Sequence, residues 1–297
     1  MKINFNDEVS GALHFEKPVV ALESTVVAHG LPSPQNVQTA QKLEKIVREC
    51  GAIPATIAIF KGVPHVGLTE QQIERLAGGD IRKVSRRDLA VMAARKLDGA
   101  TTVASTAFLA HASGIKVFAT GGIGGVHRGG GNDVSADLPE LAQTPMIVVC
   151  SGAKIVLDLP ATREWLETYG VTVLGWQCDE MPAFYSRSSG LAVDERVDSA
   201  KEVAAIAAAR AELGLSNAIL VTVPVPEKSG IAGAEVEKIL AESLRAANEK
   251  RVSGKELTPF LLSAMAERSG GRTLAANIAL LENNARVGAL IAAALNT

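Results

Sequence analysis

Thr120-Gly-Gly-Ile-Gly-Gly-Val-His127-Arg128-Gly-Gly-Gly-Asn-Asp133-Val-Ser135-Ala-Asp137 lies between two mostly apolar runs, Ile115 to Ala119 and Met146 to Cys150. Two buried strands feeding a glycine-rich loop are the signature of an α/β protein whose ligands gather at strand ends. Glycines let backbone amides approach an anion, and free N–H groups at a turn or helix start attract phosphate. Carboxylates do not bind phosphate directly, so Asp133 and Asp137 beside such amides point to a metal or a proton transfer. The stretch reads as an active-site loop rather than a linker.

Outward from this loop, short β-branched runs alternate with helical periods. Val19–Leu22, Thr56–Phe60, Thr101–Ala104, Lys116–Ala119, Met146–Cys150, Val171–Leu174 and Ala218–Val223 are expected strands. Ser33-Pro34 predicts a serine N-cap with proline at the first helical position, followed by Val37, Ala40, Leu43, Val47 and Cys50 on one face. Thr69-Glu-Gln-Gln72 fits a capping box opening a helix that stops at Gly78-Gly79. Ser85 is the expected cap of the next helix, through Leu89, Met92 and Leu97. Thr258-Pro259 opens another, and Gly270-Gly271 separates it from a long alanine-rich tail. The alternation predicts a mainly parallel central sheet with helices on both faces. No repeat or low-complexity tract interrupts it. Val225–Gly233 is the best boundary candidate and reads equally well as an active-site loop, so residues 1–297 are taken as one domain.

Composition removes several function classes. Lys+Arg 30 against Asp+Glu 32 leaves a net charge of −2 with no like-charge block, which disfavours nonspecific nucleic-acid binding. Aromatics at 4% disfavour single-strand stacking platforms. Cys50, Cys150 and Cys178 are odd in number and form no CxxC pair, which argues against a disulfide framework or zinc site. Cys150 ends an apolar strand and is expected to be a core residue. The first residues lack a signal-peptide core, and no uninterrupted apolar segment is long enough for a bilayer. A cytoplasmic protein with no nucleic-acid or membrane partner is expected.

Five segments end strands: Ala21–Thr25 with His29 after it, Lys83–Asp88, Thr101–Thr106, the glycine loop, and Cys150–Lys154. A lysine at position 154 is partly desolvated, which favours a neutral amine able to form a Schiff base with an opened sugar. The plainer reading is a helix-start lysine snorkelling to solvent or meeting phosphate. Partial burial of Glu23 suits it to proton donation, against a plain capping or salt-bridging role. Lys83, Arg86 and Arg87 are candidates for a phosphate, or a helix's solvated face. Asp133 suits Mn²⁺ or Mg²⁺ with water completing the shell, or is only a turn residue. Asp137 alternatively caps a helix beginning near Leu138-Pro139. Gly254-Lys255 is followed by Glu256 and makes no P-loop, and GxGxxG, HExxH and GxSxG are absent.

Taken together, the segments resemble the pseudouridine-5′-phosphate glycosidase family, which includes the indigoidine-cluster proteins. The matching pieces run in order over almost the whole chain. They are Ala21–Pro34, Lys83–Asp88, Thr101–Ala104, Ala119–Gly129, Asp133–Leu138, Ser151–Lys154, Pro182–Phe184, Gly254-Lys255 with Thr258–Leu262, and Asn277 with Asn283–Ala285. The resemblance implies reversible cleavage of the C–C glycosidic bond of pseudouridine 5′-phosphate to ribose 5-phosphate and uracil, in pseudouridine degradation. It implies that Lys154 is the Schiff-base nucleophile, Glu23 the proton donor and Asp133 the Mn²⁺ ligand, with one ion per subunit and Mg²⁺ as a substitute. Lys83, Val103, Ser135, Ala136 and Asp137 match substrate-binding positions. His127, Thr120 and Asn277 fall in matching segments as contacts to phosphate or base. A homotrimer is also implied.

The chemistry fits: a C-glycoside lacks the electronegative leaving atom on which carboxylate-pair glycosidases depend. An imine through lysine and protonation of the uracil carbon give the bond a way to break. One departure is the length between Arg128 and Asp133, only Gly-Gly-Gly-Asn, shorter than the family pattern. The alternatives are a Schiff-base phosphosugar lyase or aldolase sharing the lysine, and a non-catalytic phosphonucleoside-binding protein.

Overall fold

The structure, a computed structural model, describes residues 2–129, 133–252 and 257–296. The chain opens with β1 (Asn4–Phe5) and α1 (Asp7–His14), whose first turn is capped by the Asn6 side chain accepting from Val9 N–H at 2.8 Å. Next come β2 (Val19–Glu23), α2 (Gln35–Glu49), β3 (Ile53–Phe60), β4 (Val63–Val66) and α3 (Glu70–Gly78). They lead to β5 (Arg82–Val84), α4 (Leu89–Arg95), β6 (Gly99–Thr101), α5 (Val103–Ala112), β7 (Val117–Ala119) and β8 (Val126–His127). Past the glycine loop lie α6 (Asp137–Leu141), β9 (Ile147–Cys150), β10 (Leu157–Asp158), α7 (Leu159–Thr168), β11 (Thr172–Trp176) and β12 (Glu195–Val197). The remaining elements are α8 (Ala200–Glu212), β13 (Ile219–Thr222), α9 (Gly233–Glu249), α10 (Leu257–Arg268) and α11 (Arg272–Ala294).

One sheet runs in the order β1-β4-β3-β2-β7-β9-β13-β11-β12, with β6 on β3 and β5 on β6. All its pairs are parallel except β3 with β4 and β3 with β6. Every residue of β2, β7, β9 and β13 is buried, as strands covered on both faces must be. β8 and β10 form a separate antiparallel pair beside the glycine loop. α11 lies across β2, β7 and β9, and Gly288 lets it approach: a Cβ there stands 3.2 Å from the Ala119 Cβ. The mainly parallel α/β architecture expected from the alternation is therefore present.

Local signals were read correctly where side chain and backbone are neighbours. The Thr69 hydroxyl accepts from Gln72 N–H, Gln72 Oε1 accepts from Thr69 N–H at 2.9 Å, and the helix ends at Gly78. Three expectations need correction. Pro34, not Ser33, is the N-cap of α2, and it offers no side-chain acceptor to the first turn. Val103 and Ala104 begin helix α5 rather than end a strand; nearly all of α5 is buried, so it shows no amphipathic period to betray it. Asp137 is the first residue of α6, not its cap, and its carboxylate is turned to other segments.

Candidate active site

The carboxyl ends of β2, β5 and β9 face one cavity of about 340 Å³. On its walls are Glu23, Lys83, Val103, His127, Asp133, Ser135, Ala136, Asp137 and Lys154, all candidates from the sequence. A smaller, largely apolar chamber of about 60 Å³ shares Glu23, Thr25, Lys83 and Lys154 with it, and adds Phe184, Leu262, Leu281 and Asn277. Asn277 thus belongs to the small chamber only, and Thr120 lines neither.

Glu23 is the last residue of β2 and is buried. Burial pushes its carboxyl above the ordinary range; the positive charge of Lys154 and a hydrogen bond from the Thr120 hydroxyl pull it down, Asp137 pushes it up and Lys83 pulls it down. Lys154 follows β9 by way of a Ser151-Gly152 turn. Gly152 has φ +78°, and a Cβ there would lie 2.2 Å from the Pro182 carbonyl oxygen, so the turn requires glycine. Lys154 N–H then donates to the Ile123 carbonyl at 3.1 Å, which fixes the lysine against the glycine loop. Cys150 is fully buried and its thiol is pushed up to about 12, so it is the core residue expected and no nucleophile.

Several amides of the glycine loop are turned to protein acceptors rather than to the cavity. Three are committed internally: Ile123 N–H to the Gly152 carbonyl at 3.1 Å, Gly124 N–H to Asp137 Oδ2 at 2.8 Å, and Val126 N–H to Thr162 Oγ1 at 2.9 Å. The anion it holds is the Asp137 carboxylate, whose other oxygen accepts from Ala104 N–H at 3.0 Å. One buried acid thereby joins the loop to the first turn of α5, where a negative charge is favoured. The glycines serve close packing: a Cβ on Gly124 would sit 2.1 Å from Ser135 Oγ, and one on Gly125 2.3 Å from Thr162 Oγ1.

The basic candidates separate. Arg86 is committed to the buried Glu140, at 3.0 and 3.1 Å, and lies 4.4 Å over the Phe108 ring, so it is no phosphate ligand. Arg87 is exposed on the cavity wall, where Lys83 also stands. Arg128 spans the Leu157 and Ile155 carbonyls and Glu237, a structural clamp. His127, on β8, receives its position from N–H donation to the Asp133 carbonyl at 2.9 Å. Residues 130–132 of the glycine loop and the Gly254-Lys255 pair lie outside the described residues.

Among the described residues no three His, Cys, Asp or Glu side chains stand together as a complete metal cage. Asp133 on the cavity wall nonetheless fits a hard divalent cation of the kind that takes one carboxylate, with water and substrate oxygens filling the rest.

Ser85 and Asn284 have placements beyond those their sequence neighbours indicate. Ser85 N–H donates to Asp88 Oδ2 at 2.9 Å in a capping box, and its hydroxyl stands on the cavity wall. Asn284, on α11, donates to the Thr120 carbonyl at 2.8 Å. A polar pair, Asn283-Asn284, inside an alanine-rich helix was the available signal.

A family model described as indigoidine synthase A like protein matches residues 8–294. The chain is 51% identical to the pseudouridine-5′-phosphate glycosidase of Caldanaerobacter subterraneus subsp. tengcongensis, over 99% of this chain and 97% of that one. It is 50% identical to the protein of the same name from Geobacillus kaustophilus, over 98% of each. Among solved structures, the prealnumycin C-glycosynthase AlnA in complex with ribulose 5-phosphate superposes with a TM-score of 0.91 at 40% identity, covering 99% of this chain and 97% of that one. An indigoidine synthase A-like protein from Thermotoga maritima gives 0.92 at 39%, with the same coverage.

Proposed function

Since the chain belongs to the indigoidine synthase A-like family, we propose that it is an enzyme that reversibly cleaves the C–C glycosidic bond of pseudouridine 5′-phosphate, giving ribose 5-phosphate and uracil. The observation that carries this reading is the buried Glu23 facing Lys154 across one strand-end cavity. The Lys154 amine attacks C1′ and displaces O4′, which opens the ribose ring, and the proton lost from the nitrogen goes to O4′. Glu23 gives its proton to the base carbon while the C–C bond breaks, and the nitrogen lone pair takes up the vacated bond as an imine. Water then hydrolyses the imine, releasing ribose 5-phosphate and restoring the amine.

Lys83 and Arg87 supply positive charge for the 5′-phosphate, and Val103 brings the first turn of α5 to the same wall. Ser135 and Ala136 border the sugar, as does His127. The small apolar chamber takes the one-ring base, where the Asn277 amide offers both a donor and an acceptor. Asp133 would hold a divalent ion, Mn²⁺ or Mg²⁺, which supplies charge neutralisation for substrate oxygens when bound. We further place the protein in the cytoplasm as a homotrimer, an assembly that light scattering on the purified protein measures.

The test is liquid chromatography of the protein incubated with pseudouridine 5′-phosphate and Mn²⁺, beside Lys154→Ala. Uracil and ribose 5-phosphate appear with the wild type alone; no uracil from folded, metal-loaded wild type refutes the assignment. Borohydride trapping of ribose 5-phosphate without uracil release would favour a lyase or aldolase. The likeness to a C-glycosynthase favours one second reading, in which the same machinery runs toward bond formation with another aromatic acceptor. Acceptor competition in the synthetic direction separates the two.

A further inference from the structure

Thr120 is buried, lines neither chamber, and has every polar atom engaged. Its N–H donates to the Val149 carbonyl of β9 at 2.9 Å, and its carbonyl accepts from Asn284 Nδ2 at 2.8 Å. Its hydroxyl donates to Glu23 Oε1. Asn284 is itself buried and also exchanges hydrogen bonds with the Ser151 hydroxyl, at 3.2 and 3.3 Å, so the C-terminal helix grips the two segments that follow β7 and β9. A threonine anchored at both backbone atoms presents its hydroxyl to one oxygen of the acid only.

We propose that Thr120 is a positioning residue for Glu23 and not a substrate contact: it occupies Oε1, leaves Oε2 to carry the transferable proton, and is itself held by Asn284. The proposal rests on Glu23 being the proton donor. The charged groups acting on Glu23 are Lys154, Asp137 and Lys83, and none of them changes when Thr120 is replaced. The Thr120 bond stabilises the ionised carboxylate and opposes burial, so its loss moves the titration of Glu23 further up.

The experiment is pH-difference infrared spectroscopy of the protonated-carboxyl band, assigned to Glu23 by its loss in Glu23→Gln, run beside uracil-release kinetics. Thr120→Val is expected to shift the band's titration to higher pH and lower kcat at least about tenfold, with KM within about twofold, as for an orienting group. Thr120→Ser restores both readings. Thr120→Cys, which keeps the volume and only a weak donor, moves both in the same direction as valine and remains informative if the valine protein fails to fold. A band titrating as in the wild type in both variants, or a loss confined to KM, overturns the proposal. Full uracil release by Glu23→Gln would instead overturn the donor reading on which it rests, and the band shift would still report the bond itself.

Discussion

Glu23 titrates above its ordinary value of 4.5 chiefly because burial withholds water from the ionised form. A folded-state value raised above the unfolded one contributes stability fully present below the unfolded value and lost as pH rises through the folded value. Glu23→Gln removes that loss. We expect the variant to melt above the wild type at pH 8, with the gap closing as the pH falls toward 4, while uracil release is abolished. A gap that widens on acidification would contradict the burial argument. Asp133 makes a separate prediction: Asp133→Asn should weaken metal affinity by at least about tenfold, as read by Mn²⁺ titration, with the fold unchanged by circular dichroism. Metal affinity equal to the wild type would remove Asp133 from the site.

At the scale of elements, the glycine loop is a packed wall with a carboxylate at its centre. Gly124→Ala would drive a methyl into Ser135 Oγ and disturb the Asp137 bond to the same residue's N–H. The expected cost is about 1–3 kcal/mol in thermal or urea unfolding, together with a fall in kcat/KM. Unchanged activity would mean that the wall's position does not matter to the site. This element also marks the limit of sequence reading. The Thr69–Gln72 capping box and the strand end at Cys150 were readable because their determinants lie within a few residues, and the end of β2 was missed by one residue, Leu22 for Glu23. The commitment of the Gly124 amide to Asp137, of Arg86 to Glu140, and of Thr120 to Glu23 across 97 positions was not, since each partner comes from elsewhere in the fold. Glycine spacing looks the same whether glycine serves an anion or a close neighbour. Only the tertiary partner tells them apart.

For the whole molecule, the sheet runs from β1 to β12 without a break, and α11, near the end of the described residues, packs on β2, β7 and β9 at its middle. We propose that it unfolds as one unit. Far-ultraviolet circular dichroism and tryptophan fluorescence, reporting Trp165 and Trp176 in the second half, should then give coincident transitions. Two separated midpoints would divide the chain into independent domains. The fold class was readable from alternation alone, whereas the sheet order and the closing role of α11 depend on contacts that no local pattern encodes.

The bond between Asn284 and the Thr120 carbonyl joins positions 164 residues apart. A ribosome delivers the chain from its amino end, so Glu23, Lys83 and Lys154 all emerge while α11 is still unmade. Until that helix docks, the Thr120 carbonyl lacks its Asn284 bond and only the N–H bond to the Val149 carbonyl anchors its backbone. α11 is thus the last of the described helices to be synthesised, and the second backbone anchor of Thr120 forms only after it.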